Sequence, residues 1–389
     1  MEEYTPARPE ATREGLVLGS WAVRGTRRLA SALIVGTALA PACGGGGPTS
    51  PGPGATPAPS GSAVSGVVFY DENANGVLDA GEDVRLPGVT VNVGGRTGSS
   101  TAGGAFTVTN VPAGAQTARA QSLPPYFLAG ASPSITVPAG APVFVPAVLP
   151  VGTNRTNRYI AFGDSLSSGE GSSNDDGYRG ILEANLGAYW GRAEVRDEGQ
   201  AGTRSNAGDA RLEGVLAREK PAYTLILYGT NDWNELECKT DFPCFTIDSL
   251  RSMIQQAKAR NSLPVVGTIP PVNTAYADRS PPERQDWVKR MNDLIRPMVV
   301  QENALLADLH AAMLKEGDVT ALFSDHVHPN DRGYEIIARE WFRAITQPSA
   351  GASSLAEEPL DLDSLFVPPV AAPFRPSVRG RAEKARPSR

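Results

Sequence analysis

Tyr159-Ile-Ala-Phe-Gly-Asp-Ser-Leu166 decides how this chain is read. Its apolar half reads as a strand, and Gly163-Asp164-Ser165-Leu166 follows it directly, so that Ser165 comes just past the strand end. A serine hydroxyl is a poor nucleophile until an imidazole takes its proton, and the imidazole works best when a carboxylate fixes its tautomer. The chain has only three histidines, and two of them lie together in Asp325-His326-Val327-His328-Pro329. An aspartate three residues before a histidine can fold back onto the ring within one turn, which pairs Asp325 with His328. His326 is the competing base. His310, after Leu305-Leu-Ala-Asp-Leu309, reads as a strand-end residue with a structural role.

Two further blocks lie between these ends. Tyr223-Thr-Leu-Ile-Leu-Tyr228 reads as a buried strand and runs into Gly229-Thr230-Asn231-Asp232, while Asp197-Glu-Gly-Gln-Ala-Gly-Thr203 reads as a loop before a helix. The four blocks, in this order, resemble the SGNH (GDSL-like) esterases and acylhydrolases over roughly residues 157–347. That resemblance implies a flavodoxin-like three-layer α/β/α fold, with Ser165 as nucleophile, His328 as base and Asp325 as its orienting acid. It also implies an oxyanion hole from the N–H groups of Ser165 and Gly202 and the side-chain amide of Asn231. Asp197 and Ala201 stand where the family commonly has Asn and Ser, so Gly202 is the weakest of these assignments. The residue types suit the roles. Glycine at 202 lets the backbone approach a substrate oxygen, and a neutral amide at Asn231 stabilises a developing oxyanion without holding on to the product carboxylate. Asp232 is expected to brace its loop. No G-x-S-x-G surrounds Ser165, which argues against an α/β-hydrolase elbow.

Helix and strand signals alternate through the region as an α/β layer fold needs. Strands are expected at residues 159–162, 223–228 and 263–269, and helices at 207–220, 247–261, 283–303 and 331–346. Cys238 and Cys244 follow the Asn231 block. In an exported chain they suit a local disulfide at the rim of the site, with a metal pair as the weaker alternative.

Residues 63–150 read as a separate unit. Short β runs at 65–70, 89–93, 104–108 and 141–146, punctuated by Gly and Pro, suggest a small β-sandwich with a core separate from that of the hydrolase region. Inside it, Asp71-Glu-Asn-Ala-Asn-Gly-Val-Leu-Asp-Ala-Gly-Glu82 has the EF-hand-type spacing of oxygen ligands without flanking helices. Asp71, Asn73, Asn75, the carbonyl of Val77, Asp79 and Glu82 are the ligand positions of that motif for a structural Ca²⁺. Residues 64–115 resemble the SdrD B-like repeats of bacterial surface proteins; a polar hairpin without metal is the plain alternative.

The N-terminus reads as an export signal. Arg24, Arg27 and Arg28 precede an apolar run over residues 29–40 that is too short to span a bilayer but suits a signal peptide over 1–42. The run ends in Ala40-Pro-Ala-Cys43, which resembles a bacterial lipobox and implies a lipid anchor on Cys43; plain cleavage after Ala42, a later start codon and a partial twin-arginine signal stay open. A Gly/Pro-rich tether over 43–62 and a disordered tail over 348–389, acidic and then basic, complete the chain. The net charge of −6 gives no reason to expect nucleic-acid binding. The expectation is an exported, membrane-anchored monomeric serine esterase acting on small-molecule, lipid or glycan esters with no catalytic cofactor. The alternatives are a carbohydrate O-deacetylase, a lysophospholipase, or an inactive surface-binding protein.

Overall fold

The structure is a computed structural model, and it describes residues 61–347. The expected signal segment, Cys43, nearly all of the tether and the C-terminal tail lie outside the described residues.

Eight strands open the described chain: β1 (Ser62–Tyr70), β2 (Thr90–Val93), β3 (Arg96–Ser99), β4 (Ala105–Val111), β5 (Gly114–Gln121), β6 (Leu128–Ala129), β7 (Ser134–Val137) and β8 (Val143–Val148). They form two four-stranded sheets, ordered β4-β1-β8-β6 and β3-β2-β5-β7. Alternate residues such as Val64, Val68, Val91, Val93, Phe106 and Val108 turn inward and are buried, as a sandwich requires. β3, β5, β6 and β7 have no counterpart in the sequence reading. β5 is Gly-Ala-Gln-Thr-Ala-Arg-Ala-Gln, whose buried residues are only Ala118 and Ala120, so its apolar signal is faint.

The rest alternates: β9 (Arg155–Gly163), α1 (Ser165–Ser168), α2 (Arg179–Trp190), β10 (Glu194–Gly199), α3 (Ser205–Glu219), β11 (Pro221–Leu227), α4 (Leu236–Thr240), α5 (Thr246–Ala259), β12 (Leu263–Gly267), α6 (Pro282–Gln301), β13 (Leu305–Ala307), α7 (Leu309–Leu314) and α8 (Asp331–Thr346). Five parallel strands pair in the order β10-β9-β11-β12-β13. Numbered along the sheet this is 2-1-3-4-5, the flavodoxin-like order, with its switch point between β9 and β11.

The sheet is covered on both faces, which is why its central strands read as continuous apolar runs. Tyr159 and Ala161 of β9 join Leu225 and Val265 in one buried cluster with α2, α7 and α8. Ile160 and Phe162 join Ile226 and Val266 in a second cluster with α3, α5 and α6. One-residue alternation along a strand thus assigns each side chain to a layer.

Two findings depart from expectation. Asp197-Glu198-Gly199, read as loop, belongs to β10, where Asp197 pairs with Ala161 and Gly199 with Gly163; as an edge strand with one side open, it carries little apolar signal. Moreover, the sandwich and the α/β layer share apolar core. Tyr70, Phe127 and Trp190 stack edge to face at 5.2 and 5.7 Å, Tyr126 lies 6.3 Å from Tyr223, and Tyr126 donates to the carbonyl of Pro264 at 2.7 Å. The sandwich therefore abuts the amino ends of β11 and β12. Glu72 extends that junction to β9, accepting from Thr156 Oγ1 at 2.5 Å and Asn157 Nδ2 at 3.1 Å and pairing with Arg192.

Candidate active site

The site lies at the opposite, carboxyl ends of the same strands, where open parallel sheets bind ligands. β9 ends at Gly163, where a Cβ would come within 2.3 Å of Ser167 Oγ and 2.4 Å of the Leu227 carbonyl, so only glycine lets the chain turn against β11. Asp164 caps α1 by accepting from Leu166 N–H at 2.9 Å. Ser165 is thereby fixed as the first residue of a helical turn, nearly buried at 5 % exposure.

The imidazole arrives from the other end of the domain. Asp325 Oδ1 accepts from the N–H groups of Val327 and His328, both at 2.8 Å, and Oδ2 meets His328 Nδ1 at 2.7 Å. Burial would raise the Asp325 carboxyl, but the donors of His328 and Val327 outweigh it and hold the group below the ordinary carboxylate range. His328 Nε2 lies 2.9 Å from Ser165 Oγ. Asp325, His328 and Ser165 thus form a continuous hydrogen-bonded line. His326 faces elsewhere: its Nδ1 is 3.6 Å from Asp325 Oδ1, and its carbonyl accepts from Asn273 N–H and Ser280 Oγ, both at 3.0 Å.

Asn231 follows β11. Its amide nitrogen donates to Asp164 Oδ2 at 3.2 Å and to the Thr203 carbonyl at 3.1 Å, tying the loops after β9, β10 and β11 together. Gly202 sits exposed in the loop before α3 with φ of +73°, a left-handed turn that glycine adopts freely. Asp232 is fully buried, accepting from Ser205 N–H at 2.9 Å, Ser205 Oγ at 2.6 Å and Thr246 Oγ1 at 2.8 Å. One carboxylate so joins the Asn231 loop to the first turns of α3 and α5. His310 is buried at the start of α7 and donates its N–H to Thr268 Oγ1. The sulfurs of Cys238 and Cys244 are 2.11 Å apart, a disulfide beside the Asn231 loop, and the Cys238 carbonyl accepts from Trp287 Nε1.

Most of the other residues that pack around the site lie outside the four sequence blocks; Asp164 lies within the first. Arg211 on α3 donates to the carbonyls of Gly163 and Glu198 and to Tyr228 Oη, and its guanidinium lies 4.0 Å over the Phe162 ring. Arg284, at 3 % exposure, donates to the carbonyls of Thr230 and Arg279, both at 3.0 Å. With Asn273 and Ser280 it forms a strap over the Asp325-His326 turn, reaching the Asn231 loop on its other side. Burial pushes the Arg284 guanidinium down to about 10, opposed by the nearby charge of Asp325. Asp164 is the most perturbed carboxyl: burial pushes it up to about 7 against the Leu166 N–H, with Asp232 and Glu170 adding repulsion. Glu170 itself comes within 3.3 Å of His328 Nε2. No spacing rule finds such residues, because their partners come from other elements; the flanking glycines in Gly169-Glu170-Gly171 are the one local signal.

The expected cation loop is closed on itself. Asp71 accepts from Asn75 N–H at 3.1 Å and Gly76 N–H at 2.7 Å, and Glu82 accepts from Glu72 N–H at 2.7 Å and Asp79 N–H at 2.9 Å. The amide nitrogens of Asn73 and Asn75 both meet Asp79 Oδ2 at 2.7 Å, while the Val77 side chain is exposed. Among the described residues, no group of three or more His, Cys, Asp or Glu side chains is gathered to hold a metal ion. No described helix is long and apolar enough to cross a membrane.

Residues 161–336 match the model of the GDSL-like lipase/acylhydrolase family. No curated relative matches the chain. Among solved structures, the chain is similar to a lipase/acylhydrolase from Enterococcus faecalis, at 20 % identity and TM-score 0.40, covering 49 % of this chain and 98 % of that one. It is also similar to an acetylxylan esterase from Geobacillus stearothermophilus, at 23 % identity and TM-score 0.41, covering 49 % of this chain and 95 % of that one.

Proposed function

We propose that the chain hydrolyses carboxylic esters through an acyl-enzyme on Ser165. The observation that carries this reading is the line from Asp325 through His328 to Ser165 Oγ, with contacts of 2.7 and 2.9 Å. With Nδ1–H held by Asp325, the lone pair on Nε2 faces the serine hydroxyl and can take its proton as Oγ attacks the ester carbonyl. The imidazolium then returns that proton to the departing alkoxide, and water repeats the sequence to release the acid. Developing charge on the carbonyl oxygen would be met by the N–H groups of Ser165 and Gly202 and by the Asn231 amide. The Asn231 nitrogen already spends its hydrogens on Asp164 and Thr203, so a bound substrate must share or displace one of those bonds. Ser165→Ala should abolish hydrolysis of p-nitrophenyl acetate and butyrate; retained turnover above a few per cent of wild type would overturn the reading.

The reading extends to an exported protein tethered by lipid at Cys43, tested by mass analysis of the mature N-terminus. An inactive surface-binding protein is the alternative, disfavoured because the hydrolytic groups are all present.

For the loop in the sandwich, Asp71, Asn73, Asn75, the Val77 carbonyl, Asp79 and Glu82 would hold Ca²⁺. The donor set is oxygen-rich, with Asp71 and Glu82 buried, but its carboxylates accept from backbone N–H groups of the loop and would have to regroup around an ion. The two asparagine amides must turn to present oxygen in place of nitrogen. Bound there, the ion supplies only charge neutralisation and cross-linking of the loop.

A further inference from the structure

Glu170 is held with more care than a surface glutamate needs. Its N–H donates to the Ser165 carbonyl at 3.1 Å, and its carbonyl accepts from the buried hydroxyl of Tyr334 at 2.7 Å. Gly169 and Gly171 on either side adopt φ of +86° and +95°. A Cβ on Gly171 would come within 2.5 Å of Ser324 Oγ and 2.8 Å of His328 Cβ, so the backbone there can only be glycine. The result is a carboxylate, half exposed, whose Oε2 stands 3.3 Å from the same His328 nitrogen that faces Ser165. Among the described residues His328 is the one basic side chain within 4.0 Å of the Glu170 carboxylate.

We propose that Glu170 is a specificity-determining residue that restricts the alcohol half of the ester to neutral, hydroxyl-bearing or cationic groups. The inference rests on the acyl-enzyme reading above. His328 Nε2 must deliver its proton to the leaving alkoxide, so that oxygen has to approach within hydrogen-bond distance of the nitrogen Glu170 already borders. Substituents next to the leaving oxygen then lie a few ångströms from a fixed negative charge. A vicinal hydroxyl, as on glycerol or a sugar, can donate to Oε2, whereas a phosphate or carboxylate is repelled. The substrate class this selects is the O-acyl polyol or neutral glycan, and it selects against lysophospholipid-like esters whose phosphate follows the ester closely.

The test uses the full chain and two acetate esters that share the acetylglycerol unit and differ by a phosphate on C3: glycerol monoacetate and 1-acetylglycerol 3-phosphate. Wild type should favour the neutral ester in kcat/KM by about tenfold, the scale of two unit charges several ångströms apart in a partly screened site. High salt should shrink that ratio. Glu170→Gln should bring the ratio close to one and remove its salt dependence, with Glu170→Asp intermediate. An unchanged ratio in Glu170→Gln, or equal loss on both esters with the ratio kept, overturns the proposal. Should Glu170→Gln be inactive on both, Glu170→Asp and the wild-type salt titration decide in the same way. Ser165→Ala, run alongside, separates the two levels: turnover there sinks the acyl-enzyme reading, while a dead Ser165→Ala with an unmoved Glu170 ratio sinks only this inference.

Discussion

The turn at Ser165 and the loop from Asp71 to Glu82 stand at the two ends of β9, and they satisfy their polar atoms in opposite ways. Asp71, Asn73, Asn75, Asp79 and Glu82 bond almost wholly within their own loop. The longest side-chain bond within the loop, from Glu72 N–H to Glu82, spans ten positions. Ser165 Oγ instead meets His328 Nε2 across 163 positions. A locally closed loop can be read from spacing and needs little from its surroundings to form. A site assembled from distant segments exists only when the sheet, the strap and the caps have all formed, and its geometry is correspondingly fixed by packing.

The sharpest way to break this contrast is to remove the hydroxyl. Ser165→Ala and His328→Ala should each lower kcat by roughly 10⁴–10⁶-fold, because the groups act as a unit. Their thermal unfolding should stay near wild type, since neither carries core packing. A large fall in melting temperature for Ser165→Ala would mean that the turn is as self-contained and structural as the cation loop.

Asn231→Ala is the next largest, with kcat down roughly 10²–10³-fold and KM little changed, the scale of one lost oxyanion donor. Because Asn231 also bonds Asp164 and Thr203, a rise in KM with kcat preserved would recast it as a loop tie.

Asp164 sharpens the comparison through pH. Burial raises its carboxyl to about 7, against about 3.9 in an unfolded chain. Between those values the native state binds more protons than the unfolded state, so this group makes stability fall as pH rises from about 4 to 7 and adds no slope outside that window. Its full effect is at most about 4 kcal/mol. Denaturant melts of wild type and Asp164→Asn across pH 4–8 should show wild type losing ground relative to the variant. A constant difference would refute the shift.

At the other end of β9, millimolar Ca²⁺ should raise the melting temperature of the full chain, by mass action on a loop that only the folded state completes. Glu82→Ala should abolish that rise. Since Glu72 links the loop to Thr156 and Asn157, the whole described unit should melt together at the higher temperature. The smallest effect is expected for His326→Ala, within about fivefold of wild-type kcat, because its backbone carbonyl and not its ring anchors the strap. A loss as large as that of His328→Ala would show the wrong histidine had been assigned as base.

What the sequence made legible follows the same division. β9, β11 and β12 are buried on both faces, so their apolar runs announce them. α8 reads to its exact ends because Asn330 caps it and its apolar stripe includes Ile337, Trp341 and Ile345. β10, Glu-Val-Arg-Asp-Glu-Gly, buries only Val195 and disguises itself as loop. α2 has Leu182, Leu186 and Trp190 on one face, yet glycines within and after it hide the period, and the sequence reading assigns no element there. Ser165, Asp325 and His328 could be named because each sits in a short motif. Glu170, Asn273, Ser280, Arg211 and Arg284 could not, since what they touch is decided by how layers stack; Asp164 lies inside the first motif, yet its burial is likewise set by packing.

The aromatic junction between sandwich and sheet also governs the order in which the chain can acquire its shape. Tyr126 finds its hydrogen-bond acceptor at Pro264, 138 positions later. During synthesis the sandwich emerges first, with Tyr126 awaiting Tyr223 and Pro264, and Phe127, though met by Tyr70, still awaiting Trp190. Contacts of such long range close late and slowly, and the exposed rings are meanwhile open to other chains. The module nearest the amino terminus therefore depends for its finished surface on residues made long after it, and a nascent chain stalled before β12 would carry a sticky, half-built face.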